Sequence, residues 1–457
     1  MSNTRKYEAG SKAARLSSWY APSSDATTAI QQPATIRNRA RDLVRNNPWA
    51  NKGLATIVNN TIGFGIRAKI NAKSKLRAKQ AQQKWMAWAE TTACDADGIN
   101  NFYGLQQMAF RSLAESGECL IRLRPRRPED NLPLPFQIQV LEPDFIADGS
   151  IINLAVGTQN QIVRGIEYDA IGRRVAYYLY KVHPGSEIIN LSPEQFTRID
   201  AREIIHLFRK DRPGQERGVS WFAPVVVALR ELGIYEDAYL KRQQLANLFA
   251  GFITTDDPAA MDEELADELP DLQPGTMYML KPGRSIEFSA PPPTGEDPAY
   301  RDSCLRRVAA GLGISYEALT GNLSEVNFSS ARMGAHEMGR NIDAWQWNLF
   351  IPRFCDGVFQ WFKDALTMQG MVTDDITAEW TPPIRTVVDP SKENKALLTA
   401  VRAGFMSLPE AIRQQGYDPD LVLEEQQEYL AKLDVAGVLV DSDVRNDISN
   451  TGVSSNG

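Results

Sequence analysis

The chain has little of what metal and redox chemistry usually needs: three histidines and four cysteines in 457 residues. Cys94, Cys119, Cys304 and Cys355 lie far apart and form no CxxC pair, so reduced, packed thiols are expected rather than disulfides or a zinc site. His183, His206 and His336 have no acidic or cysteine neighbour at metal-ligand spacing. His206, in the strand-like EIIHLF, reads as a satisfied core histidine, whereas His336 lies in a helical pattern open to solvent or a partner. There is no GxxxxGK[ST], no HExxH and no GxSxG, which removes the P-loop ATPases, the zincin proteases and the α/β-hydrolases. Gly63-Phe-Gly65 and Gly311-Leu-Gly313 lack the third glycine of a dinucleotide fingerprint and read as helix stops. No apolar run approaches the ~20 residues that span a bilayer, and the first residues lack a signal-peptide core. A chain made and kept in cytoplasm is expected, with no membrane partner, catalytic residue, cofactor or metal.

What is present is ordinary for a globular protein, with 43% hydrophobic and 23% charged residues and a length that allows two or three domains. A net charge of −7 argues against gripping DNA by neutralising phosphates, because such surfaces are strongly basic. It leaves open a surface that DNA slides past. The balance is uneven along the chain. Arg5, Lys6, Lys12, Arg15, Arg37, Arg39, Arg41 and Arg45 face only Glu8, Asp25 and Asp42 within residues 1–50. The segment from Asp256 to Asp271 carries eight acids and no base.

Residues 1–34 are rich in Ser, Thr, Ala and Gln and read as disordered, with Trp19 and Tyr20 as anchors. Helices are expected over Thr35–Ile62, broken at Pro48, then over Lys73–Glu90 and Phe102–Ser116. From Cys119 to Phe208 the pattern alternates: ECLIRLRP, FQIQVLEP, IVRGIEYD, RVAYYLYKV and EIIHLFRK are strand candidates. A long helix over about Ser220–Phe249 follows, with Val225, Leu229, Leu232, Tyr235, Tyr239, Ala246 and Phe249 on one stripe. Short strands around the acidic run lead to Asp297-Pro298, a good N-cap and N1 pair, opening a helix that stops at Gly311 or Gly313. The loop TGNLSEVNFSS precedes a helix from Ser330 to Leu366, interrupted at Pro352. Asp389-Pro390, Ser407-Leu-Pro-Glu410 and Asp418-Pro419 start three short helices that stop near Gly404, Gly416 and Gly437. Residues 438–457 are polar and read as a loose tail. The fold class is α+β, mixed.

Taken residue by residue, each feature has a plain reading. The 220–249 stripe suits an ordinary core helix, the 320–329 loop an ordinary turn, and the acidic run a solvated face. Together they give a soluble, multi-part, non-enzymatic protein.

Five linked stretches go further: RARDLVRNNPWANKGL, CDADGINNFYGLQQMAFRSLAESGE, LFRKDRPGQERGVSWFAPV, AAGLGISYEALTGNLSEVNFSSAR and WTPPIRTVVDPSKENKA. In this order the chain resembles the lambda-type portal proteins of tailed bacteriophages. The resemblance implies a portal fold and a ring, usually of twelve copies, at one vertex of the phage head, assembled in host cytoplasm. Double-stranded DNA would pass through its channel without sequence readout. It implies a wing over 35–219, a first stem helix over 220–249 with Leu229, Tyr235, Tyr239, Lys241 and Arg242, and a clip over 250–296. The second stem helix would be 297–313 and the tunnel loop 314–330, with Gly321, Asn322, Ser324, Glu325, Asn327 and Ser329 toward DNA. Residues 331–380 would return to the wing as a long kinked helix, and 381–437 would form a helical crown. Asp262, Glu263, Glu264, Asp267 and Glu268 in the clip would meet the large terminase and the head–tail adaptor; major capsid and scaffold proteins are the other partners. Two alternatives differ in class. One is an enzyme of packaging or maturation, which the missing ATP-binding loop and nucleophile–base pair oppose. The other is a minor head protein without a channel.

Overall fold

The computed structural model describes residues 18, 22–26, 30, 32–148, 160–186, 196–247, 251–255, 284–288, 297–324, 328–383, 390–415, 417, 419–438 and 440. The chain opens with α1 (Pro33–Asn46) and α2 (Pro48–Thr61). The break falls where expected, because Asn47 is extended ahead of Pro48 and its side chain accepts from the N–H groups of Trp49 and Ala50. Strand β1 (Arg67–Asn71), α3 (Lys75–Ala89) and α4 (Phe102–Ser116) follow.

A three-stranded antiparallel sheet joins β2 (Glu118–Pro125) to β3 (Phe136–Leu141) on one side. Its other neighbour is the later β8 (Ile204–Phe208). Between them in sequence a second sheet runs β4 (Gln161–Val163), β5 (Ile166–Tyr168), β6 (Arg174–Tyr180) and β7 (Phe196–Asp200). IVRGIEYD, read as one strand, is therefore the β4–β5 hairpin, because Arg164 and Gly165 both take positive φ at the turn.

Next come α5 (Val226–Asn247), the antiparallel pair β9 (Gly251–Thr255) and β10 (Arg284–Phe288), α6 (Asp297–Leu312), α7 (Tyr316–Thr320) and α8 (Phe328–Trp345). A π-helical stretch, Gln346–Cys355, joins α8 to α9 (Asp356–Met368). It contains Pro352, whose ring would strike the carbonyl four residues back in a regular helix. The wider turn absorbs the proline, and the long helix continues through it. Strand β11 (Thr377–Thr381) then pairs with β1, tying the chain after α9 to its beginning. The last described elements are α10 (Pro390–Arg402), α11 (Leu408–Gln414) and α12 (Pro419–Ala436).

The main core lies between α2–α4, the β2 sheet and the α8–α9 rod. Trp85 is its centre, with ring centroids 5.1–6.0 Å from Trp88, Phe102, Phe359, Phe362 and Trp380. Each such aromatic pair adds about 0.5–1.5 kcal/mol beyond burial. Two of the indoles are satisfied, Trp88 donating to the Phe136 carbonyl at 3.0 Å and Trp380 to Asp356 at 2.7 Å, whereas the buried Trp85 Nε1–H has no partner among the described residues. Gln346, buried in the rod, donates to the Thr61 carbonyl at 2.7 Å and caps the end of α2.

Candidate functional site

The long helix and the capped helix after the acidic run form an antiparallel hairpin. Tyr235 lies 4.8 Å from Tyr300 by ring centroid. Ten or eleven residues back toward the core, Gly311 of α6 sits so close to Val225 that a methyl on it would overlap the valine side chain. Sequence numbers rise on one helix as they fall on the other. At its base the hairpin is sealed by Val225, Leu229, Leu232, Cys304, Leu305, Val308, Ala309 and Leu312, all buried in the main core. Val227 points away from this seal at the base, and further out the hairpin loses its cover: Ile234, Leu240 and Tyr300 are exposed.

Against expectation the helix begins at Val226 rather than Ser220, since residues 221–225 form turns around Pro224. At 22 residues it is about 33 Å long rather than the ~45 Å that thirty residues would give. Leu229 is buried; Tyr235, Tyr239 and Arg242 are half-buried, and Lys241 is exposed.

The stretch read as a loop over 314–330 is largely structured. Ser315 caps α7, accepting from the Ala318 N–H at 3.1 Å. Buried Leu319 and the Ala318 carbonyl, which accepts from Thr56 Oγ1 at 3.2 Å, fasten α7 to α2. The sequence hid this helix because it is one turn long and flanked by turn residues. What remains free is residues 321–324, all exposed. Gly321 ends α7 with φ 72°, and Asn322 Oδ1 accepts from the Ser324 N–H at 3.1 Å and from its hydroxyl at 2.7 Å. Ser329 belongs to α8 rather than to the loop. Glu325 and Asn327, and Asp262, Glu263, Glu264, Asp267 and Glu268, lie outside the described residues.

Behind the hairpin's base lies a buried ionic hub that sequence reading did not find. Glu118, at the start of β2, accepts from Arg217 Nη2 at 2.6 Å and from the Gly218 N–H at 3.0 Å. His206, on the neighbouring strand β8, lies 2.9 Å from it. Antiparallel register places Leu120 opposite His206, which brings Glu118 onto the same face two residues away. No local motif marks the hub, because its members are 88 and 99 residues apart from Glu118. Burial alone would raise the Glu118 pKa, but Arg217 and then His206 outweigh it and hold the carboxyl well below the usual carboxylate range. Burial pushes His206 down to about 4 against the pull of Glu118. The imidazole is thus neutral at pH 7. With Nδ1 unpartnered, Nε2–H is assigned as the donor to the carboxylate.

A second cluster corrects the reading of His183. The fold brings its Nε2 to 3.1 Å from Glu142, with Asp144 close enough that the three donor atoms lie within 4.8 Å. A cationic role there is already filled, since Arg41 bridges Glu142 at 3.2 Å and Asp144 at 2.8 Å, and Arg37 reaches Asp144 at 3.0 Å. All four cysteines are free and buried. Burial raises Cys94 and Cys119 to about 12, so neither of these two is a thiolate at neutral pH.

The hub sets a pH dependence. Below pH 6.5 an unfolded histidine takes up a proton that folded His206 refuses until about pH 4. Stability therefore falls as pH drops through that window and levels off for this group below it, a loss of about 3 kcal/mol. Glu118 acts in the same direction below its unfolded pKa. Urea midpoints measured from pH 7.5 to 4 should fall, and His206→Asn should flatten the part above pH 5.

Residues 12–346 match the profile of the phage portal protein, lambda family. The chain belongs to that family. It is 25% identical over 433 residues to the "Probable portal protein" of Halomonas phage phiHAP-1, covering 88% of this chain and 81% of that one. It is 22% identical to "Portal protein B" of Escherichia phage lambda, covering 90% and 86% respectively. Among solved structures, the necks of gene transfer agent particles share the fold. The native neck, resolved with twelve-fold symmetry, gives a TM-score of 0.51 at 15% identity over 83% of this chain and 94% of that one. The empty neck, resolved with six-fold symmetry, gives 0.54 at 14% identity over the same shares. The portal fold, expected from the five linked motifs, is thereby established.

Proposed function

We propose that this portal protein closes into a ring, of twelve copies, at one vertex of the phage head, and that double-stranded DNA is packaged and later ejected through its channel. The observation that carries this is the α5–α6 hairpin. Its base is fixed in the core, while its outer part carries exposed Ile234, Leu240 and Tyr300 on helices that one chain does not cover. Rotation about one axis lets the same two patches satisfy each other in every copy. The family and the cyclic symmetry of the neck assemblies that share the fold support the same reading.

On this reading residues 35–219 are the wing, the hairpin is the stem, and 250–296 are the clip. Residues 331–380 return to the wing and 381–437 form the crown. No catalytic role is assigned: DNA is moved by the terminase, and the ring guides it. The exposed residues 321–324, continuing into 325–327, are the part that meets DNA, touching backbone without reading bases. Glu325→Lys with Asn327→Lys should add phosphate attraction and slow packaging in a defined in vitro assay while rings still form. Unchanged packaging, both in this variant and on deletion of 322–327, would remove the loop from the DNA path.

The acidic run is the docking surface for terminase and adaptor. Eight carboxylates in sixteen residues attract basic partners in a salt-dependent way. Neutralising Asp262, Glu263, Glu264, Asp267 and Glu268 should weaken terminase capture at low salt and spare ring formation. Equal capture at low and high salt would leave these residues a solubility role only.

A further inference from the structure

Helix α12 is an 18-residue helix that one chain does little to cover. Leu423, Tyr429 and Val435 are 53%, 54% and 91% exposed. They are spaced six residues apart, and six residues rotate a helix by about 240° beyond a full turn. The three side chains therefore leave the helix in three directions roughly 120° apart. Packing on one side, which is all that α11 supplies, cannot cover them. A helix of this length also gains most of its stability from packing rather than from propensity. In a ring each copy has two neighbours, so this helix can be covered from both sides.

Charge says which part of the neighbour fits. Helix α12 holds Asp420, Glu424, Glu425, Glu428 and Asp434 against Lys432. Helix α10 holds Lys392, Lys395 and Arg402 against Glu393. On α10 exposed Leu398 has Lys395 three residues before it and Arg402 four after, so the three share one face. On α12 Glu425 lies four residues before Tyr429 and Lys432 three after it, so this face is acidic at one end and basic at the other. The acidic end of the Tyr429 face, on a helix with five acids to one base, complements the cations that flank Leu398.

We propose that α12 packs between copies of this chain, its Glu425–Tyr429 face seated on the Lys395–Leu398–Arg402 face of α10 in the neighbouring subunit. The contact is heterologous and repeats around the axis. This inference rests on the ring proposed above and adds the partner and register of its crown.

Co-assembly tests it. Subunits carrying only Leu398→Cys are mixed with subunits carrying only Tyr429→Cys, and the purified full-length assemblies are oxidised. The native cysteines are buried and do not compete. The expected product is a disulfide-linked heterodimer between the two variants. Lys395→Glu with Arg402→Glu should abolish it, and adding Glu425→Lys in the partner should restore it. In the charge-reversed assembly α12 amides should exchange about tenfold faster or more. Several outcomes overturn the proposal. Rings without the heterodimer overturn it while leaving the ring intact. So does a homodimer through Tyr429→Cys, which would mean α12 meets α12, or an intrachain bond in a subunit carrying both changes. If α12 is protected only when a scaffold or capsid protein is added, that protein is the occupant. Absence of any ring by electron microscopy overturns the ring reading itself, and the proposal with it.

Discussion

Glu118→Gln is expected to destabilise the protein by about 3–5 kcal/mol, the cost of breaking a buried ion pair at one partner, which leaves Arg217 only the more exposed Asp148 at 3.5 Å. Arg217 has a side chain only 3% exposed and pairs with Glu118 at 2.6 Å. The same carboxylate holds the Gly218 N–H and faces His206. A glutamine keeps the shape but removes the charge that Arg217 needs and gives His206 only an amide partner. Equilibrium unfolding in urea measures the loss directly. Because Arg217 and Gly218 lie a few residues before α5, the hairpin base should loosen with the core. A shift under 1 kcal/mol would mean the hub is peripheral to stability.

Gly218→Ala is expected to cost about 3 kcal/mol, at the upper end of overpacking penalties. A methyl there would overlap the Gly117 carbonyl. That obstacle is backbone, which no rotamer change relieves. Gly117 holds its place with φ 91°, packed against Val219 and Ser220. The end of α4 and the lead into α5 therefore touch through two glycines, where the Glu118 hub begins. Gly214→Ala is a useful comparison, since nothing lies within 4 Å of its added methyl and only its φ of 78° is strained. Urea midpoints for the two variants should rank Gly218→Ala as the more damaging.

Much of this architecture is legible in the residues. Pro48, Asp297-Pro298, Asp389-Pro390 and Ser407 mark helix starts by local chemistry, and the structure begins helices at or next to each of them. Helix α4 spans the expected Phe102–Ser116 because its apolar period and the Gly117 stop agree. Non-local features were not legible. Strands β1 and β11 are five residues each and exist through pairing with one another across the whole fold. Strand β7, FTRID, is half polar and is stabilised by pairing with β6 and by Arg198, which reaches past it to Glu167 of β5 at 2.7 Å. Helix α7 is held by its contacts with α2 rather than by periodicity. The hub follows the same rule, since Glu118, His206 and Arg217 look like three unrelated residues until the β2–β8 register sets them side by side. For the hairpin, the two helices and the Asp297-Pro298 start of the second were readable, the length of the first was overestimated because residues 221–225 form turns, and the uncovered faces became visible only in three dimensions.

Electron microscopy of the purified full-length protein, with native mass measurement, shows directly whether this chain builds a ring-forming channel wall. Closed rings with a central hole and a mass of twelve subunits of 51.0 kDa are expected. A stable monomer under all conditions, including with scaffold or capsid protein present, or a particle with no axial opening, would contradict it.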